Sequence, residues 1–136
     1  MKLSLQNRKV RFAMNTHPRI LVVEDEKIIA MDIQHTLRGF GYEVCGVVSS
    51  GEESIEQAFQ NRPDLVLMDI GLKGPIDGIC AARAIQSHLP IPVIYLTAYG
   101  DEKTLNRVDQ TKPFGYIYKP FEESELWFKI ETALSN

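Results

Sequence analysis

Past residue 18 the chain alternates between short apolar runs and stretches in which apolar residues recur every three or four positions. Ile20-Leu21-Val22-Val23, Leu65-Val66-Leu67-Met68 and Val93-Ile94-Tyr95-Leu96 have no polar side to turn towards water, so they read as strands buried on both faces. Strands are predicted over about 19–24, 44–48, 64–69, 93–96 and 115–118. Helices are predicted between them. The first covers about 26–38, with Ile28, Ile29, Met31, Ile33 and Leu37 as its apolar positions and Gly39 or Gly41 at its stop. The second opens at Ser50-Gly51-Glu52-Glu53, carries Ile55, Ala58 and Phe59, and closes at Arg62-Pro63. The third covers about 78–88, with Ile79, Ala82 and Ile85 inward. The fourth, about 101–110, has only Leu105 and Val108 as apolar residues. The fifth, about 122–134, buries Leu126, Trp127 or Phe128, Ile130 and Leu134.

Five βα units with crossovers of this length make an α/β domain with a five-stranded parallel sheet. The length of 136 residues suits one core. Hydrophobic residues at 44% and charged residues at 24% are an ordinary globular balance, which excludes a disordered or fibrous chain. No apolar run approaches the roughly 20 residues of a membrane helix. The N-terminus lacks the apolar segment of a signal peptide, so a cytoplasmic protein is expected. The last predicted helix lies close to residue 136, so no effector domain is expected here. Cys45 and Cys80 form no CxxC pair and are expected as two buried free thiols. His17, His35 and His88 are too scattered for a zinc cluster.

Charge divides the chain. The net charge is −3, yet residues 1–17 hold Lys2, Arg8, Lys9 and Arg11 and no acid. This leader reads as a flexible basic tail, with Met14 as an alternative start. Residues 18–136 are strongly acidic, which argues against a nucleic-acid-binding surface on the folded part.

The chemistry sits at the carboxyl ends of the strands, where open α/β sheets bind ligands. Strand one runs into Glu24-Asp25-Glu26, strand three ends in Asp69, and strand five ends in Lys119-Pro120. In the doubly wound order 2-1-3-4-5, strands one and three flank the switch point, and Glu24, Asp25 and Asp69 converge. Two carboxylates about 5 Å apart repel by about 3 kcal/mol at an effective dielectric near 20. Three in one cleft call for a cation, and oxygen ligands suit Mg²⁺ or Mn²⁺. The alternative for Glu24-Asp25-Glu26 is a set of solvated strand-end or helix-capping acids. Asp69, alone at the end of its strand, is the better carboxylate nucleophile towards phosphorus. Lys119 supplies a fixed positive charge, and the Thr97 hydroxyl, at the end of strand four, could donate to a phosphoryl oxygen or bond backbone instead.

Four strings in this order carry a family likeness: ILVVEDE, then LVLMDI followed by DG, then IYLTAYG, then GYIYKPF. Residues 19–134 resemble the receiver domain of two-component response regulators. The resemblance implies a flavodoxin-like receiver fold and a phosphoacceptor Asp69, charged from a phosphohistidine on a histidine kinase or phosphotransfer protein. It implies Mg²⁺ bound by Asp25, Asp69 and the Gly71 carbonyl, with Glu24 assisting through water. It makes Thr97 and Tyr116 a switch pair, Lys119 the contact to the phosphoryl group, and Lys119–Pro120 a cis peptide. It implies no enzyme beyond self-phosphorylation and slow self-dephosphorylation, a protein target downstream, no direct binding of nucleic acid or membrane, and a homodimer through helix four, strand five and helix five. A receiver module of a hybrid sensor histidine kinase is the alternative. Gly71 and Tyr99, two residues past Asp69 and Thr97, are the positions that would orient a hydrolytic water. A bare glycine and a bulky, shielding tyrosine there predict a long-lived phosphoryl group, the alternative being that Tyr99 points to solvent as part of a binding face.

Two features depart from the family pattern. Lys73 stands where a proline is usual, and the stretch from Asp69 to Asp77-Gly78 is one residue longer than the common spacing. Two other readings fail on particular residues. A flavin-phosphate site would be repelled by Glu24-Asp25-Glu26, and a phosphatase resembling the haloacid dehalogenases needs an aspartate where Gly71 stands. A binding module with a dead site is at odds with the full set of site residues.

Overall fold

A computed structural model describes residues 17–98, 102–111 and 113–135. The leader, apart from His17, and Tyr99 lie outside the described residues. The strands are β1 (Arg19–Val23), β2 (Glu43–Val48), β3 (Leu65–Asp69), β4 (Val93–Thr97) and β5 (Gly115–Tyr118). The helices are α1 (Lys27–Gly39), α2 (Gly51–Asn61), α3 (Gly78–Gln86), α4 (Glu102–Gln110) and α5 (Glu123–Leu134). All strand pairings are parallel, in the order β2-β1-β3-β4-β5.

The apolar runs form the middle of the sheet because each alternate side chain has a helix layer to meet. Leu21, Val23, Val66, Met68, Val93 and Tyr95 pack with Ala58 of α2, Ile79, Ala82 and Ile85 of α3, and Val108 of α4. Ile20, Val22, Leu65, Leu67, Ile94, Leu96 and Ile117 face the other way, against Ile33 and Leu37 of α1 and Leu126, Ile130 and Ala133 of α5. β2 forms one edge, and its register against β1 slips between Ile20 and Leu21, skipping Cys45.

Local signals explain several boundaries. The Ser50 hydroxyl accepts from the Glu53 amide at 3.1 Å while Glu53 reaches back to Ser49 and Ser50, a reciprocal cap that starts α2. Arg62, with φ of 47°, ends that helix before Pro63. Asp77 caps α3 by accepting from the Cys80 amide at 2.9 Å.

Some expectations need correction. Trp127 and Phe128 are both exposed, as are Ile28 and Met31. Phe59 lies near the surface as well. α1 and α5 each have more apolar residues than one face can bury, so Ala30 and Ala133 take inward positions that pattern alone gave to larger neighbours. Both cysteines are free, but neither is buried: Cys45 is half-buried and Cys80 is exposed. Among the described residues no helix is long and apolar enough to cross a membrane.

Candidate functional site

The parallel ladder continues one step past each strand and fixes where the polar residues begin. The Glu24 amide donates to the Val48 carbonyl at 2.9 Å, the Ile70 amide to Leu96 at 3.0 Å, and the Lys119 amide to Thr97 at 2.7 Å. Because β1 and β3 are neighbours, Glu24, Asp25 and Asp69 meet, each offering a carboxylate oxygen within 4.8 Å of the others. Asp69 is 5% exposed and Glu24 2%, so Glu24 is not the solvated strand-end acid that the Glu24-Asp25-Glu26 string alone allowed, whereas Glu26 is exposed at the N-cap of α1.

Lys119 reaches in from the end of β5. Its Nζ lies 2.7 Å from Glu24 Oε1 and 3.3 Å from Asp69 Oδ1. The Gly71 amide donates to the same Asp69 oxygen at 3.1 Å. The Glu26 amide donates to Glu24 Oε2 at 3.2 Å, and the Lys73 amide to Asp25 Oδ2 at 3.3 Å. Burial pushes the pKa of Glu24 up to about 7; the hydrogen bond from Lys119 opposes this, and the nearby charge of Asp69 adds to it. Burial works against the charge on Lys119, but its bonds to Glu24 and Asp69 outweigh burial and raise its pKa.

The geometry bears on the cation expectation. Three carboxylates against one ammonium leave the cluster with excess negative charge, and every donor is a hard oxygen. That donor set fits a divalent cation such as Mg²⁺ or Mn²⁺ and does not suit zinc.

A cleft of about 350 Å³ opens over Asp69, lined by Glu26, Ile70, Gly71, Thr97, Ala98, Thr104 and Lys119. Thr97 is the last residue of β4 and is buried. Tyr116 is half-buried on β5, paired in register with Tyr95 and set edge-on to Tyr118 at 5.7 Å between ring centres. Thr97 pairs with Tyr118, so Thr97 and Tyr116 occupy adjacent strands two register steps apart. The Lys119–Pro120 peptide is cis. Sequence reading missed Thr104, which reaches the cleft from α4, and the Lys73 amide. A weakly amphipathic helix and a backbone N–H carry no mark in the sequence.

The loop after Asp69 is tightly packed. A Cβ on Gly78 would lie 2.0 Å from the Asp69 carbonyl oxygen, and one on Gly51 would lie 2.6 Å from the Ile76 carbonyl oxygen. Asp77 also pairs with Arg107 of α4 at 2.8 Å.

Comparison with known proteins agrees with this geometry. Residues 20–131 match the model of the response regulator receiver domain. The transcriptional regulatory protein PdtaR of Mycobacterium tuberculosis is 39% identical over 117 residues, 86% of this chain and 57% of its own length. The phyllosphere-induced regulator PhyR of Methylorubrum extorquens is 35% identical over 116 residues, 85% of this chain and 43% of its own length. The chain therefore spans only about half the length of these curated relatives. Among solved structures, the signal receiver domain of a modulated diguanylate cyclase from Desulfovibrio desulfuricans superposes with a TM-score of 0.83 at 36% identity, covering 87% of this chain and 94% of that one. A response regulator from Chloroflexus aurantiacus gives a TM-score of 0.82 at 32% identity, covering 89% and 100%. By its sequence motifs, its strand order and the match over residues 20–131, the chain belongs to the response regulator receiver domain family.

Proposed function

We propose that Asp69 accepts a phosphoryl group from a phosphohistidine on a histidine kinase or phosphotransfer protein, and that the chain signals by the resulting change in its surface. The observation that carries this reading is the setting of Asp69: buried at the end of β3, held by Lys119 and the Gly71 amide, and facing Glu24 and Asp25. Asp25, Asp69 and the Gly71 carbonyl would hold Mg²⁺ or Mn²⁺, with Glu24 assisting through water. The bound cation would offset phosphoryl charge during in-line attack. Lys119 orients Asp69 and neutralises one incoming phosphoryl oxygen. The Thr97 hydroxyl, lining the same cleft, is the donor for another.

Beyond this the chain is a switch with no substrate turnover of its own other than slow self-dephosphorylation. The acidic composition of residues 18–136 favours a protein target over direct contact with nucleic acid. The exposed Tyr118 of β5 and the exposed Trp127 and Phe128 of α5 suit self-association through α4, β5 and α5. Incubation with acetyl phosphate and Mg²⁺, followed by mass spectrometry, tests the central point. One phosphoryl group is expected on the wild type and none on Asp69→Asn. A label retained by that variant would remove Asp69 from the role.

A further inference from the structure

We infer that the backbone N–H of Lys73 positions the Asp25 carboxylate for the cation, a role open to this chain because no proline stands at that place. The inference rests on the reading of Asp25 as a metal ligand given above. Proline has no N–H to donate. Lys73 does, and it donates to Asp25 Oδ2 at 3.3 Å, joining two residues 48 apart in the sequence.

The loop that presents this N–H is anchored on both sides. Leu72, immediately before, is 6% exposed and belongs to the core cluster under α2 and α3. Gly74, immediately after, has φ of +105°, which lets the chain turn back where a side chain would be strained. Further on, Ile76 rests against Gly51 with no room for a Cβ, and Asp77 caps α3. Lys73 is thus set in place over the acidic cluster by its neighbours, whereas its own side chain is exposed.

A carboxylate has about four acceptor sites, so one bond restricts its rotation without using up its capacity for a cation. Hydrogen bonds that orient metal-binding carboxylates change affinity 10–100-fold in closed sites. This bond is long and exposed, so a factor of about three to five is expected. The Lys73 ammonium acts in the opposite direction, since a positive charge near the cluster weakens cation binding. The two effects separate by comparing neutral variants that differ in the N–H.

The experiment is a Mg²⁺ titration of Lys73→Ala and Lys73→Pro, read from amide chemical shifts at Asp69 and Gly71. Lys73→Ala keeps the N–H and should bind Mg²⁺ as tightly as the wild type or slightly tighter. Lys73→Pro should bind three- to fivefold more weakly than Lys73→Ala. Equal affinity in the two variants would overturn the inference and leave the metal reading standing. A wild type whose Asp69 and Gly71 amides do not respond to Mg²⁺ would overturn both. A second measurement needs no metal and no proline: Asp25→Ala in the metal-free protein should move the Lys73 amide proton upfield, the signature of a lost bond to a carboxylate. A Lys73 amide unmoved by that substitution would also overturn the inference.

Discussion

Three carboxylate oxygens within 4.8 Å of one another, with one ammonium among them, place more negative charge in one spot than the fold needs for stability. Replacing Asp25 by Ala removes the most exposed of the three charges, and with it the bond from the Lys73 amide. Relief of repulsion should outweigh that exposed bond, raising the melting temperature of the metal-free protein by about 3 °C, or about 1 kcal/mol. Scanning calorimetry without and with Mg²⁺ checks this: the gain should vanish or reverse when the cation is present. Gly71 offers no side chain to hold a water near Asp69, so Gly71→Asn should shorten the life of the phosphorylated state, measured as decay of label after removal of the donor. Unchanged or slower decay would exclude a water-orienting role for that position. Glu24, Asp25, Asp69 and Lys119 were legible in the sequence because charge at the end of an apolar run has few structural uses. The near-complete burial of Glu24 and its bond to Lys119 were not, since they depend on the Lys119 side chain reaching from β5 past the ends of β4 and β3, which no local pattern records.

At the level of elements, the β3–α3 connection governs how α3 and α4 sit relative to Asp69. Gly78→Ala would drive a methyl group into the Asp69 carbonyl, and either the strand end or the helix start would have to move. The expected cost is at least about 3 kcal/mol, read from urea unfolding, with phosphorylation of the surviving folded protein impaired. Asp77 ties the same helix start to α4 through Arg107. Burial works to raise its pKa, but the Cys80 amide and Arg107 prevail and hold it below the usual carboxylate range. The stabilisation is therefore present above the unfolded value of 3.8 and is lost as pH falls through the lower folded value. Asp77→Asn keeps a capping side chain and removes the charge. It should cost about 0.5 kcal/mol at neutral pH, and the difference from the wild type should shrink steadily below about pH 4. A constant difference down to pH 2 would show that charge is not what matters at Asp77. The boundaries of α2 were readable because Ser50 and Arg62-Pro63 are local start and stop signals. Which side of α1 and α5 turns inward was not, because Ile28, Met31, Trp127 and Phe128 satisfy an apolar pattern as well as the residues that are buried.

Across the whole molecule, the parallel sheet was legible from the alternation of runs and helices and its strand order from the family resemblance, and that order does more than place the site. It seats Thr97 and Tyr116 on the two strands leading from the site to the β5 edge. Thr97→Ala should still be phosphorylated from acetyl phosphate but should lose the affinity gain for its protein target, or the self-association, that phosphorylation brings. Sedimentation of the phosphorylated protein checks the second possibility, and a dimer in Thr97→Ala equal to that of the wild type would route the coupling elsewhere. The order also puts β1 and β3 in the interior of the sheet, where Ile20 to Val23 and Leu65 to Met68 have no exposed surface. Amides such as those of Val23 and Met68 should then trade their hydrogens with solvent only when the whole domain unfolds, whereas those of α4, where Val108 is the one buried residue among those described, should do so through brief local openings. A phosphoryl group on Asp69 would rest on the part of the chain that opens last and be read through the part that opens first.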